Sequence, residues 1–561
     1  MRYLFSFVFL LSSFSAFADL GAGSTNQAAV ATAHPLATKA GVDILKQGGN
    51  AFDAAAAITA SLAVVEPYSS GIGGGAFWLI HRASDEKQIM IDGREKTPMR
   101  GHKDMYLDKS GNVIKGLSLN GPMAAGIPGV PAGIEHLVKK YGRLSLKDVL
   151  APAIKQATDG FHVTERYQKL IGFRKKVLIH YPEAASLFLK DNDVPAKGHL
   201  IIQTDLANTL RLIADHGRDG FYKGALARKM VDSVNKNGGI WELEDLANYN
   251  LVEREPIVTN YNGIKVTSAT LPSSGGVVMG QALNILEHFD LKKVDSITRK
   301  HIVVEAMRRA YRDRAAYLGD MDFIDVPIDR LLDKNYTEGM ALTIDVNKAT
   351  PSSELSDIVT NPNIGNDTTH FSVIDAEGNR VSATLSINLP FGSGFVAEGT
   401  GVLLNNEMDD FSVKPLTANA YGLVGDHANA IAPGKRPLSS MTPTFVETKD
   451  RIGILGTPGG SRIISMVLLG VLDFADGQLP ESWVSVSRYH HQYLPDEILF
   501  EQGGLTLSEQ EALKSKGHKL NEKNRQYGNM QAIMVWKDKN ISFAASDPRG
   551  EGTAEVIHLS K

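Results

Sequence analysis

Cysteine is absent from all 561 residues, which excludes disulfides, thiolate metal sites and a cysteine nucleophile together. Export into an oxidising compartment would be harmless to such a chain. A strong charge of either sign is also lacking. The formal net charge is −4, and composition offers no argument for nucleic-acid binding. Beyond the N-terminal residues, the longest apolar run, 463–472, falls well short of the about 18 residues of a membrane span. No Gly-x-Ser-x-Gly elbow is present, so a serine α/β-hydrolase has no support. There is no internal repeat and no low-complexity segment. Gly71-Ile72-Gly73-Gly74-Gly75 lacks the Lys-Ser/Thr of a phosphate loop and leads into a strand, so it reads as tight backbone packing. His490 and His491 are adjacent and point to opposite faces of a strand, with no partner ligand at a metal-like spacing.

What is present is ordinary for a globular chain with a large core, 43% hydrophobic and 22% charged residues. Arg2, the apolar run 3–14 and Ala16-Phe17-Ala18 fit a cleavable signal peptide over residues 1–18. A mature protein starting at Asp19, in the periplasm or secreted, is therefore expected. His34-Pro35-Leu36-Ala37 opens a helical pattern that Gly48-Gly49-Asn50 ends. Asp53 is expected to cap a helix over 54–65, apolar on nearly all sides and hence buried. Strands are expected at 76–81 and 89–91, and helices over much of 134–216 and 296–318. The basic run Arg308-Arg309-Ala310-Tyr311-Arg312 reads as a solvated or ion-paired helix face. β-like alternation follows residue 368, with one strong helix over 461–474. Mixed elements over this length fit an α/β or α+β architecture.

The chain turns on Asn366-Asp367-Thr368-Thr369-His370-Phe371, where a polar loop over 351–366 gives way to a strand. A threonine at a new N-terminus can use its own α-amine as base and its Oγ as nucleophile. In an intact chain that amine is locked in an amide, so cutting between Asp367 and Thr368 would switch the residue on. Taken alone, a Thr-Thr pair here also reads simply as a strand start, since β-branched residues favour strands.

Asp367-Thr368-Thr369-His370 resembles the processing site of the γ-glutamyltransferases, a family of N-terminal-nucleophile hydrolases. Leu404-Asn405-Asn406-Glu407-Met408-Asp409-Asp410-Phe411, Pro437-Leu438-Ser439-Ser440-Met441 and Gly456-Thr457-Pro458-Gly459-Gly460-Ser461-Arg462 resemble that family's further signatures, in its order. The likeness runs from about residue 26 to the C-terminus. It implies an α+β fold, the four-layer αββα sandwich, built from two fragments of one precursor. These are a large one over 19–367 and a small catalytic one over 368–561, held together as a heterodimer. It implies Thr368 as nucleophile, Ser386 as the hydroxyl beside it, and Gly459 and Gly460 as oxyanion donors. Arg94 matches the anchor of the donor's α-carboxylate, with Ser439 and Ser440 as helpers. Asn388, Glu407 and Asp410 match the group holding the α-ammonium, so opposite charges are expected about one residue-width apart. Residues 415–425 resemble a lid with Tyr421 at its tip. Two positions depart from the commoner bacterial pattern: Ser386 stands where threonine is usual, and Glu407 where many members carry glutamine.

The implied activity is γ-glutamyl transfer from glutathione and related compounds to water, amino acids or dipeptides, with no metal or organic cofactor. Two rivals remain. A β-lactam (glutaryl-cephalosporin) acylase shares the architecture, but its acyl group carries no ammonium for Glu407 and Asp410. An uncleaved, non-enzymatic γ-glutamyl-binding protein would keep the pocket without the chemistry.

Overall fold

A computed structural model describes residues 27–355, 368–414 and 417–559. The expected signal peptide, Asp367 and the start of the expected lid at Pro415 lie outside the described residues.

Two antiparallel sheets lie face to face. The seven-stranded front sheet runs in the order Thr553–His558, Gln27–Thr32, Thr369–Ile374, Arg380–Ser386, Gly75–Arg82, Lys87–Gly93, Val252–Arg254. The six-stranded back sheet runs Ile541–Ser546, Gln531–Trp536, Arg451–Gly456, Thr444–Glu447, Ile264–Ser268, Ile257–Tyr261. Because successive side chains in a strand point to opposite faces, Ala28 and Val30 join one apolar cluster while Ala29 and Ala31 join another. The second cluster, with Leu79, Ile374, Phe445, Ile454, Ile533 and Val535, fills the space between the sheets. The first lies under the helices Pro35–Lys46 and Ala51–Val65 on the outside of the front sheet. A third packs Gly275–Leu286, Ser296–Tyr317 and Ile463–Ala475 on the outside of the back sheet. The layers are therefore helix, sheet, sheet, helix, as the resemblance implies.

Towards the start of strand Thr369–Ile374 the inter-sheet layer turns polar. Ser372 Oγ donates to the Gln531 carbonyl and Ser382 Oγ to the Leu455 carbonyl, both at 3.1 Å. These bonds tie one sheet to the other directly beneath the expected nucleophile.

One local expectation is corrected and another is decided. Helix Ala51–Val65 begins three residues before Ala54, because Asn50 and not Asp53 is its cap. Asn50 Oδ1 accepts from the N–H groups of Phe52 and Asp53, and Asp53 Oδ2 accepts from Asn50 N–H, each at 3.0 Å, forming a capping box. Of the two readings of the basic run on Ser296–Tyr317, solvated or ion-paired, the structure bears out the ion-paired one. Arg308 and Arg309 are buried and pair with Glu305 on the same helix, and Arg308 also reaches Asp496.

Strand origins are interleaved in both sheets. Gln27–Thr32 lies between Thr553–His558 and Thr369–Ile374, and Thr444–Glu447 pairs with Ile264–Ser268.

Candidate active site

Thr368 sits at the entrance of strand Thr369–Ile374, in the middle of the front sheet, and is buried. The register pairs Thr369 with Leu385, so the next position opposite Thr368 is Ser386. Thr368 Oγ lies 3.4 Å from Ser386 Oγ, which in turn accepts the Asn388 N–H at 2.8 Å. Thr384 lies two residues back on the same face, opposite His370, and bonds His370 Nδ1 at 2.9 Å. It is thus not a rival for contact with Thr368. Burial holds His370 down to about 3, so its imidazole is neutral.

Of the glycines after strand Arg451–Gly456, Gly460 lines the same cavity as Thr368. Gly459 has φ +145° and Gly460 φ +58°, conformations open to glycine at little cost. A Cβ on Gly460 would run into the ring of Tyr421. Tyr421 is buried and donates its hydroxyl to the Asn388 carbonyl at 2.7 Å, closing the cavity from above. On the near side the Gly71–Gly75 run lets backbones meet. A Cβ on Gly74 would strike the Ser386 carbonyl, and one on Gly75 the Glu95 carboxylate.

Arg94 follows strand Lys87–Gly93 and is 1% exposed. Its Nη1 donates to Glu407 at 2.7 Å, its Nη2 to Asp410 at 2.6 Å, and its Nε to the Pro437 carbonyl at 3.1 Å. A longer contact, 3.4 Å, joins Nη1 to Glu95. This corrects the expectation of charges held a residue-width apart: the guanidinium and both acids are in direct contact, and one N–H of the fork is left over. Burial alone would lower Arg94, but Glu407, Glu95 and Asp410 together raise it, so it stays charged. Burial pushes Asp410 up to about 8 against the pull of Arg94, and Asp409 up to about 6. Glu95 is raised well above the usual carboxylate range by burial and by Glu407.

The remaining expected residues converge on the same place. Arg94, Thr368, Ser386, Asn388, Glu407, Asp410, Tyr421, Ser439, Ser440 and Gly460 line one cavity, of about 20 Å³. That holds one or two waters and no amino acid, so this is a closed state. Gly459 is set apart, lining a neighbouring cavity behind the turn. Sequence reasoning missed three supports. Arg314, buried in Ser296–Tyr317, donates to Ser440 Oγ at 3.2 Å and Ser274 Oγ at 2.9 Å. One turn earlier, Tyr311 donates to the Ser461 carbonyl. Glu95 backs Arg94. The i, i+3 spacing of Tyr311 and Arg314 on one helix face was the available signal.

Among the described residues one group has metal-ligand geometry, His301, Glu305 and His518. Glu305 is already paired with Arg308 and Arg309, and Arg308 lies 3.4 Å from His518 Nδ1. Two cations thus stand where a metal would add a third. His490 and His491 are engaged separately, by Ser465 and Gln492 and by Asp496.

The sequence matches the Gamma-glutamyltranspeptidase family over residues 37–557. The chain belongs to that family. It is 44% identical over 528 residues to the glutathione hydrolase proenzyme of Escherichia coli, covering 93% of this chain and 90% of that one. The like-named proenzyme of Pseudomonas aeruginosa is 40% identical, covering 96% of each. Among solved structures, the fold resembles a cephalosporin acylase from Bacillus halodurans, with a TM-score of 0.82, 28% identity and coverage of 94% and 95%. It also resembles the Helicobacter pylori γ-glutamyltranspeptidase, with a TM-score of 0.56 and 43% identity over 57% of this chain and 93% of that one. Among the described residues, no helix is long and apolar enough to cross a membrane.

Proposed function

We propose that the chain is an exported precursor that cuts itself before Thr368 and then acts as a γ-glutamyltransferase and glutathione hydrolase. The observation that carries this reading is the convergence on Thr368 of a hydroxyl partner, a glycine turn and a buried Arg94–Glu407–Asp410 cluster. In maturation, Thr368 Oγ attacks the Asp367 carbonyl, the peptide nitrogen leaves with a proton, and water hydrolyses the resulting ester. The products are a fragment ending at Asp367 and one starting at Thr368, which remain together as a heterodimer. In turnover, the freed α-amine of Thr368 takes the proton of its own Oγ as that oxygen attacks the donor's γ-carbonyl. The oxyanion is met by the N–H groups of Gly459 and Gly460. The carbon–nitrogen bond breaks, the amine departs with the proton, and the γ-glutamyl ester passes to water or to an amino acid or dipeptide.

Ser386 orients Oγ. Arg94 with Ser439 and Ser440 receives the donor's carboxylate, and Asn388, Glu407 and Asp410 its ammonium. Since Arg94 is paired with both acids in the closed state, a zwitterion would enter by parting that pair, meeting each half with its opposite charge. The Bacillus halodurans likeness favours a second reading, glutaryl acylase chemistry. Two acids in the pocket weigh against it, because a glutaryl group brings no cation to them.

Intact-mass spectrometry of the purified protein, with hydrolysis of γ-glutamyl- and glutaryl-4-nitroanilide side by side, tests both. Two fragments, the smaller starting at Thr368, with turnover of the γ-glutamyl compound are expected. The Thr368→Ala variant is expected to remain one uncut, inactive chain. An uncut chain in the unsubstituted protein, or preference for the glutaryl compound, would overturn the reading.

A further inference from the structure

Behind the serines of the donor pocket stands a cation that the proposed binding scheme leaves unused. Arg314, on helix Ser296–Tyr317, is 5% exposed, and both its side-chain bonds go to hydroxyls. Its Nε donates to Ser274 Oγ at 2.9 Å and its Nη2 to Ser440 Oγ at 3.2 Å. Ser274 Oγ passes the contact on, donating to the Ser439 carbonyl at 2.7 Å. The backbones of the two loops are joined as well. Ser274 N–H donates to the Ser439 carbonyl at 2.9 Å, and Ser439 N–H to the Pro272 carbonyl at 2.8 Å. One guanidinium thus holds both serines, Ser440 by its side chain and Ser439 by its backbone.

The direction of these bonds decides what the serines can do. A guanidinium only donates, whereas a serine hydroxyl has one proton to give and lone pairs that receive. Ser440 Oγ receives from Arg314, and Ser439 Oγ receives the Met441 N–H at 3.1 Å. Among the described residues neither hydroxyl donates to anything. Both serines line the Thr368 cavity, so both protons are left for a group inside it, and that group must be an acceptor. Without Arg314, Ser440 could turn its lone pairs to the pocket and receive a donor group instead.

The charges favour the same group. Arg94 carries Glu407 and Asp410 in direct contact and Glu95 at 3.4 Å. Among the described residues no carboxylate lies within ion-pairing distance of Arg314. Burial brings Arg314 down to about 10 while Tyr311 and Asp410 pull it back up, so it stays charged at neutral pH. A buried cation without a partner anion is costly. A carboxylate held by Ser439 and Ser440 would supply that anion, one hydroxyl away.

We infer that Arg314 is a positioning residue for the donor's α-carboxylate: it aims the Ser440 hydroxyl as a donor, holds Ser439 beside it through Ser274, and backs both with a positive charge that no acid neutralises. The inference rests on the proposed γ-glutamyl chemistry at Thr368. It makes Arg314 a determinant of specificity that acts without touching the donor, selecting an α-carboxylate over the neutral amide of the same shape.

The test uses the processed enzyme and two donors, γ-glutamyl-4-nitroanilide and the same anilide with its α-carboxylate converted to an amide. The preference for the carboxylate donor, as a ratio of kcat/KM values, is expected to fall about tenfold in Arg314→Gln, whose side chain can either give or take a hydrogen bond. The loss should appear in the KM of the carboxylate donor and much less in kcat. A merely structural defect would instead slow both donors together and leave the ratio unmoved. Arg314→Lys keeps the charge but loses the fork that reaches two hydroxyls, so a fall of about threefold is expected. It carries the test if the glutamine variant does not fold. A ratio unmoved in a folded variant overturns the inference while the Thr368 chemistry stands. No turnover of either anilide by the unsubstituted enzyme overturns both.

Discussion

Ser386 and Arg94 are the residues whose substitution separates chemistry from scaffolding. Ser386 Oγ is the side-chain oxygen beside Thr368 Oγ, and its other bond holds the Asn388 backbone. Ser386→Ala is expected to slow both self-cleavage and turnover about 10- to 100-fold, the size of one hydrogen bond near a charged centre. Ser386→Thr should restore both. Time courses of fragment appearance and of anilide hydrolysis measure the two rates, and wild-type rates in the alanine variant would remove Ser386 from the mechanism. Arg94→Ala strands Glu407, Asp410 and Glu95 in a buried site, which costs about 3–5 kcal/mol of stability and confounds any kinetic reading. Arg94→Lys keeps the charge and loses the planar fork. A steep rise in donor KM with self-cleavage intact is expected, and an unchanged KM would take Arg94 out of donor binding.

At the scale of elements, the segment over 417–425 is fastened to the acids it would cover. Asp409 accepts the Ala420 N–H at 2.9 Å, and Asn419 Nδ2 donates to Asp410 at 3.2 Å. Together with Tyr421 over Gly460, these bonds shut the pocket. Gly460→Ala places a methyl against the Tyr421 ring at φ +58°, where a side chain costs about 1–2 kcal/mol. The displaced N–H should reduce kcat about 10²- to 10³-fold, measurable by anilide hydrolysis; a near-normal kcat would argue against an oxyanion role for this turn. The motifs that carry the site were legible because each is a short local string on one loop or strand edge. Their mutual contacts were not. Arg94 meets Glu407 and Asp410 across 313 and 316 residues of chain, and no local pattern says whether such charges lie apart or touch. Arg314 and Tyr311 escaped notice for a related reason: a helix shows its periodicity in sequence, but not which neighbour its inner face will meet. For the basic run the sequence left solvation and ion pairing open for the same reason, since its acid partners include Asp496, 188 residues on.

For the whole molecule, the buried acids set a pH dependence of stability. Asp410 is raised to about 8 and Asp409 to about 6 by burial, whereas unfolded aspartate titrates near about 3.9. Between these values the native state binds more protons than the unfolded one, so the contribution of these groups to stability falls as pH rises from about 4 to 8. Asp410→Asn removes one such group, and its Tm should decline less than the parent's from pH 5 to pH 8. Parallel Tm profiles would show that Asp410 is not held in its protonated form.

The interleaved sheets would change meaning under the proposed cut before Thr368. Strand Gln27–Thr32 then has both its neighbours on another polypeptide, and Thr444–Glu447 has a neighbour on the first. The uncut precursor reaches this arrangement as a single molecule. The two pieces, once unfolded apart, would have to find each other by diffusion and thread a finished sheet between them. Such a cut would thereby turn the folding of one chain into the reassembly of two, a step that depends on their concentration.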